Sequence, residues 1–225
     1  MTLRGAAICA LLLLAAAGCG SGSDKGSSSG TTESGVCSQF GSAGAPAART
    51  TKAPWSAPDN PMALTCEAGL IPEKAEFLQY HVHAHLDVFV DGKPVLVPAG
   101  IGIDLDNPDT IADTTADGLV IGAGLKQECS KPCISPLHTH DVSGLLHTET
   151  KTPSPNQLGQ FFTEWAVRLT PDCIGAYCKP KTPIKIYVDG QVETGDPQEI
   201  ELKNLREISI VIGTPPAKIP MEFPR

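Results

Sequence analysis

All six histidines of the chain fall between positions 81 and 147, in two groups: His81-Val-His83-Ala-His85, and His138-Thr-His140 followed by His147. Crowded imidazoles are unfavourable by themselves, because protonated neighbours repel and neutral ones each need hydrogen-bond partners. A metal ion removes that conflict. Imidazole nitrogen is a ligand for zinc, copper, iron and nickel, and alternate residues of a strand can converge on one ion. The expected ligand set is His83, His85, His138, His140 and His147, with one or two of these standing behind the ligands. His81, at the start of its segment, is placed at the periphery. Asp87, Asp141 and Glu149 are the carboxylates expected to orient ligand rings. Only three methionines occur, one of them the initiator, which disfavours a thioether-rich Cu(I) carrier and leaves Cu(II) or Zn(II) as the expected ion. Two readings without metal compete: a solvated, pH-sensitive strand face, or a hydrogen-bonded structural network of His138, His140 and His147.

These side chains need strands to align them. From His81 to Val90 the sequence alternates, so Val82, Ala84, Leu86, Val88 and Val90 share one face of a strand and His81, His83, His85 and Asp87 the other. Asp91-Gly92 is a hairpin signal, and Lys93 to Val97 can return as an edge strand, with Pro94 and Pro98 accounting for its edge position. In the second group, Asp141-Val-Ser-Gly144 suits a tight turn. A two-residue loop at Val142 and Ser143 sets His138 opposite His147 and His140 opposite Leu145, with His138, His140, His147 and Glu149 on one face.

The remaining elements form the frame. Ile101–Leu105 and Gly118–Ile121 read as short strands or turns around an Asp-rich, solvated loop whose spacing does not match an EF-hand. Ser154-Pro-Asn-Gln157 has the form of a capping box for one short helix to about Val167, with Leu158, Phe161, Phe162 and Trp165 packing into the core. Ile184–Val188, an Asp189-Gly190 turn, Glu199–Leu202 and Ile208–Ile212 read as strands. The expected fold is mainly β (β-rich α+β): a small antiparallel sheet or sandwich of hairpins with one short helix near residues 155–167.

Net charge is −8, from 17 basic and 25 acidic residues, so the chain lacks the basic surface that nucleic-acid binding needs. Residues 1–18 read as a secretory signal: Arg4, a short apolar run and small residues. Their Ala-Ala-Gly-Cys ending resembles a lipobox, which implies acylation of Cys19 and a lipid anchor on the extracytoplasmic face of the cell membrane. A Gly/Ser tether follows, and the Ala/Pro-rich stretch 41–61 either continues it or wraps the domain edge. The expected organisation is therefore 1–18 signal, 19–61 lipidated cysteine and linker, and 62–225 a single folded domain. Cys37, Cys66, Cys129, Cys133, Cys173 and Cys178 make an even set in an exported protein. Local pairing gives Cys129 to Cys133 and Cys173 to Cys178, leaving Cys37 for Cys66; the rival reading makes Cys129 and Cys133 thiolate ligands.

The pattern His83-x-His85, Val97-Pro-Ala-Gly-Ile-Gly-Ile103, Pro136-Leu-His-Thr-His-Asp141, Ser143-Gly144, His147-x-Glu149 and Phe161-Phe-x-x-Trp165 resembles that of a family of uncharacterised exported proteins and lipoproteins of bacteria and archaea. The resemblance covers about residues 81–213. It implies that these positions belong to one site and adds no reaction. The leading expectation is a lipid-anchored metal-binding protein. The alternatives are a metal-dependent hydrolase or oxygenase using Glu149 or Asp141 as base, or a disulfide-stapled interaction domain with structural histidines. No His-Glu-x-x-His, Gly-x-Ser-x-Gly or phosphate-loop motif supports the enzyme.

Overall fold

The computed structural model describes residues 34–41 and 44–224. The expected signal peptide, Cys19 and most of the Gly/Ser tether lie outside these. In chain order the elements are helices α1 (Ser34–Cys37) and α2 (Pro61–Glu67), strands β1 (Tyr80–Val90), β2 (Lys93–Val95), β3 (Thr110–Thr114), β4 (Val120–Leu125), β5 (Leu137–His138) and β6 (Leu145–Thr150), helix α3 (Leu158–Glu164), then β7 (Cys173–Ile174), β8 (Tyr177–Cys178), β9 (Ile184–Val188), β10 (Gln191–Glu193) and β11 (Arg206–Ile212). No helix among the described residues is long and apolar enough to cross a membrane.

The protein is mainly β. Its alternating segment becomes β1, the centre of a mixed seven-stranded sheet ordered β10-β9-β11-β1-β6-β5, with β2 also paired to β1. The sequence led to antiparallel hairpins throughout; the β1 to β11 pairing is instead parallel, setting His85 beside Glu207 and Asp87 beside Ser209. A parallel neighbour requires a long crossover, and here most of the domain lies between the two strands. Asp91 and Gly92 both have positive φ, as do Asp189 and Gly190, the backbone that twist-matched two-residue hairpin loops demand.

Strand parity divides the sheet into two faces. Val82, Ala84, Leu86 and Val88 of β1 join Leu146 of β6, Ile208, Ile210 and Ile212 of β11, and Phe161, Phe162 and Trp165 of α3 in the apolar core. The opposite face carries the histidines. Helix α3 begins later than the Ser154 capping box implied: Gln157 is the N-cap and Gln160 bonds back to its N–H. Asn156 explains the shift, since its carbonyl accepts from the Leu202 N–H and its side chain donates to Thr148, holding this segment extended. Glu199–Leu202 is not a strand either. Pro197 starts a single 3-10 turn there, and the Asp196 side chain accepts from the Gln198 N–H.

The folded unit also begins before residue 62. The described part of the Ala/Pro stretch wraps the domain edge, where Trp55 is buried edge-on against Trp165 and its carbonyl accepts from the Trp165 indole N–H. Arg49 pairs with Val167 in a short parallel bridge. The cysteines pair as expected: Cys37 with Cys66, Cys129 with Cys133 and Cys173 with Cys178. This excludes Cys129 and Cys133 as thiolate ligands.

Candidate metal centre

The expected register of the second histidine group holds at His138, which lies opposite His147 across β5 and β6; the structure adds that His147 lies opposite His83 across β6 and β1. His140 does not continue that ladder. Beyond His138 the chain leaves β6 for β4, where the Ala123 N–H donates to the His140 carbonyl. The buried Thr139 fixes the pair of rings on either side of it. Its hydroxyl donates to the Pro98 carbonyl and accepts from the Ile101 N–H, so the Val97–Ile103 loop clamps the His-Thr-His segment from behind. That loop passes close beneath: a Cβ on Gly102 would come within 2.5 Å of the Leu137 carbonyl oxygen.

The hydrogen bonds define the protonation of two rings. His138 Nδ1 lies 2.9 Å from the Ser135 carbonyl and His140 Nδ1 lies 2.9 Å from the Ala123 carbonyl. A carbonyl only accepts, so both Nδ1 atoms carry hydrogen and, in the neutral rings, both Nε2 atoms are lone-pair donors. Those two Nε2 atoms face each other at 3.1 Å. Two lone pairs at that distance repel unless a cation lies beside both. One solution is a proton carried on His140 Nε2, since burial, reinforced by His140, pushes the His138 pKa down to about 3. A metal is the other: nitrogens bound to one zinc at about 2.0–2.1 Å stand about 2.9 Å apart at a right angle and about 3.3 Å apart at a tetrahedral angle. An Nδ1–H held by a backbone carbonyl is also the usual way a metal-binding imidazole is oriented.

His147 and Glu149 complete this set; His138, His140, His147 and Glu149 each offer a donor atom within 4.8 Å of the others. Glu149 is nearly buried and divides its oxygens. Oε1 lies 3.3 Å from His147 Nδ1 and 3.1 Å from His81 Nε2, whereas Oε2 lies 3.9 Å from His138 Nε2 and has no hydrogen-bond partner. Burial works against its ionisation, but the His147 hydrogen bond and the neighbouring His138, His147 and His81 outweigh it and hold the carboxyl below its usual range. His81, His83 and His147 form a second group of the same compactness. His83 Nε2 is buried and unpartnered, and burial followed by the approach of His147 lowers its pKa.

Three expected members have other roles. His85 points from the same strand face as His83, yet both its nitrogens are occupied: Nδ1 is 2.8 Å from Glu207 and Nε2 is 2.8 Å from the Ser143 carbonyl. Burial opposes charge on the ring, and the Glu207 hydrogen bond and charge overcome it, raising the His85 pKa. The Ser143 carbonyl requires hydrogen on Nε2 and Nδ1 is paired with Glu207, so His85 stands apart from His138, His140, His147 and Glu149, in a separate compact group with Asp87 and Glu207. Asp87 stands 3.7 Å from His85 Nδ1, within that pair's surroundings. Asp141 accepts from the Ser143 N–H and shapes the turn instead of orienting a ring. Conversely, His81 is not peripheral, because it contacts Glu149 directly. Its strand parity was the available signal. Glu207 and Glu76, whose Oε1 lies 3.7 Å from His140 Nε2 at the solvent-facing rim, had no such signal in the sequence.

Comparison of the chain with protein-family models, with curated proteins and with solved structures finds no match. The site therefore rests on its own geometry.

Proposed function

We propose that this is a lipid-anchored, extracytoplasmic protein that binds Cu(II) or Zn(II) through His138, His140, His147 and Glu149. The observation that carries the metal is the 3.1 Å approach of two Nε2 atoms whose partner nitrogens are both committed as donors. The signal-like residues 1–18, Cys19 and the Gly/Ser tether support the location, and the disulfides fit an oxidising compartment. A nitrogen-rich set with one carboxylate suits either ion. The tether lets the domain deliver or hold the ion at a distance from the membrane surface.

A metal-dependent hydrolase or oxygenase is the second reading. It is favoured by the half-open rim, where the His140 and Glu76 side chains are 28% and 31% exposed, giving water a route to an ion. The decisive measurement uses the chain from Gly20 onward without a histidine tag, loaded with Cu(II) or Zn(II), dialysed and assayed for bound metal by elemental mass spectrometry. Stoichiometric retention by the natural chain and its loss in His138→Ala/His140→Ala is expected. A chain that retains no metal sinks the proposal.

A further inference from the structure

Resting on the metal-binding reading above, we infer that the site holds two ions, the second bound by His81 and His83 and joined to the first through Glu149. The donors are too many and too divided for one ion. Two compact groups share only His147: one contains His138, His140 and Glu149, the other His81 and His83. Their rings form a continuous series, with centroid separations of 4.4 Å from His81 to His83, 4.5 Å from His83 to His147 and 4.6 Å from His147 to His140.

Two independent features point to the second position. His83 Nε2 is a buried nitrogen with no partner, an arrangement that costs stability unless something occupies it. Glu149 presents Oε1 to His81 and His147 and Oε2 toward His138, so its two oxygens face different histidine groups. A carboxylate placed in this way spans two ions, and paired metal sites lie about 3.5–4 Å apart. A single-ion site would need neither His81 nor the unpartnered His83.

The two positions differ in access. His138 is fully enclosed, whereas the His81 side chain is 34% exposed. The His81/His83 ion is the one expected to exchange with solvent, and the His138/His140 ion the one retained. The ligand class at the exposed position is a borderline divalent transition metal, with two imidazoles and a carboxylate oxygen leaving room for a further ligand.

The test uses Cu(II) as probe on the chain from Gly20 onward, with bound copper counted by elemental mass spectrometry and the pair detected by electron paramagnetic resonance. The natural chain is expected to bind two ions whose coupling reduces the signal below that of two isolated Cu(II) ions. His81→Ala/His83→Ala is expected to bind one ion with the full signal of an isolated centre, and His83→Gln provides a conservative variant should the double change fail to fold. One ion in the natural chain, unchanged in either variant, overturns this inference and leaves the metal-binding reading intact; two ions that persist in the variants overturn the assignment to His81 and His83. No bound ion removes both readings together.

Discussion

His83 and His85 lie two positions apart on one strand, point to the same face and sit in similar sequence, yet they have opposite fates. His83 keeps a buried nitrogen without a partner beside two other imidazole rings, those of His81 and His147. His85 has a carboxylate on one nitrogen and a carbonyl on the other. Strand parity placed both on the polar face; the neighbours across the sheet then separated them. Toward β6, His83 meets His147, while on the other edge of β1 His85 meets Glu207 of β11. A histidine-rich strand is therefore one candidate ligand surface and one ion-pair anchor, and the hydrogen-bond partners, not the spacing, tell them apart.

The largest effect should come from the metal itself. At free metal about 1,000 times its Kd, binding adds about 4 kcal/mol of stability, seen as a higher Tm for the natural chain. His138→Ala/His140→Ala should remove the larger part of that rise, leaving what the His81/His83 ion contributes, while His85→Leu/Glu207→Leu should keep it. A loss of metal binding in the His85/Glu207 double variant would show that His85 belongs with the ligands after all.

Next is the single change His85→Leu, which leaves Glu207 buried without its partner. Breaking such a pair costs about 3–5 kcal/mol, whereas replacing both members with apolar residues restores much of it. Urea unfolding of the single and double variants measures the difference. Equal destabilisation in the two would show that His85 packs without pairing.

The two regions should also respond to pH in opposite directions in the metal-free protein. His138 has a folded pKa of about 3 against its ordinary 6.5, so between these values the unfolded chain holds a proton that the folded chain lacks. Stability should fall as pH drops through that window, by up to about 1.4 kcal/mol per pH unit. His83, shifted the same way, adds to this. The His85 pKa is raised, so its contribution is fully present below the unfolded value and is lost as pH rises through the folded one. Glu164, whose burial outweighs the Ser135 and Thr65 hydroxyls beside it and pushes its pKa up to about 8, also contributes stability that is lost with rising pH from its ordinary 4.5 upward. Melts in a Glu164→Gln background with chelator remove the Glu164 contribution. His138→Phe should flatten the acid limb, and His85→Leu/Glu207→Leu the alkaline one.

The smallest effect sharpens the positioning argument. Thr139→Val removes the hydroxyl joining the Pro98 carbonyl and Ile101 N–H, at about 1–3 kcal/mol. It should weaken metal affinity about 10–100-fold, as changes behind a ligand do. Isothermal titration against Zn(II) reads this; unchanged affinity would mean that the clamp holds the fold and not the rings.

Much of this was legible in advance because it is local. The β1 alternation, the Asp-Gly turns and the opposition of His138 to His147 follow from a two-residue period and short loops. The Cys129–Cys133 and Cys173–Cys178 bridges follow from spacings of four and five residues. The α3 start was misplaced by the pull of Asn156 on partners at Thr148 and Leu202. The domain edge was misplaced because Trp55, within an Ala/Pro stretch lacking periodicity, is ordered by Trp165, 110 residues away.

By itself the sequence determined the faces: which residues of each strand point together, which cysteines can close small loops, and that the histidines occupy polar faces of adjacent segments. Those are consequences of backbone period and chain connectivity. The tertiary structure alone decided the chemistry of each nitrogen. The parallel pairing of β1 with β11 brings Glu207 to His85 across 122 residues of sequence. The β4 strand supplies the carbonyl that fixes His140. A ring's availability to a metal depends on which of its nitrogens still has a lone pair, and that is set by acceptors that only folding brings within hydrogen-bond distance.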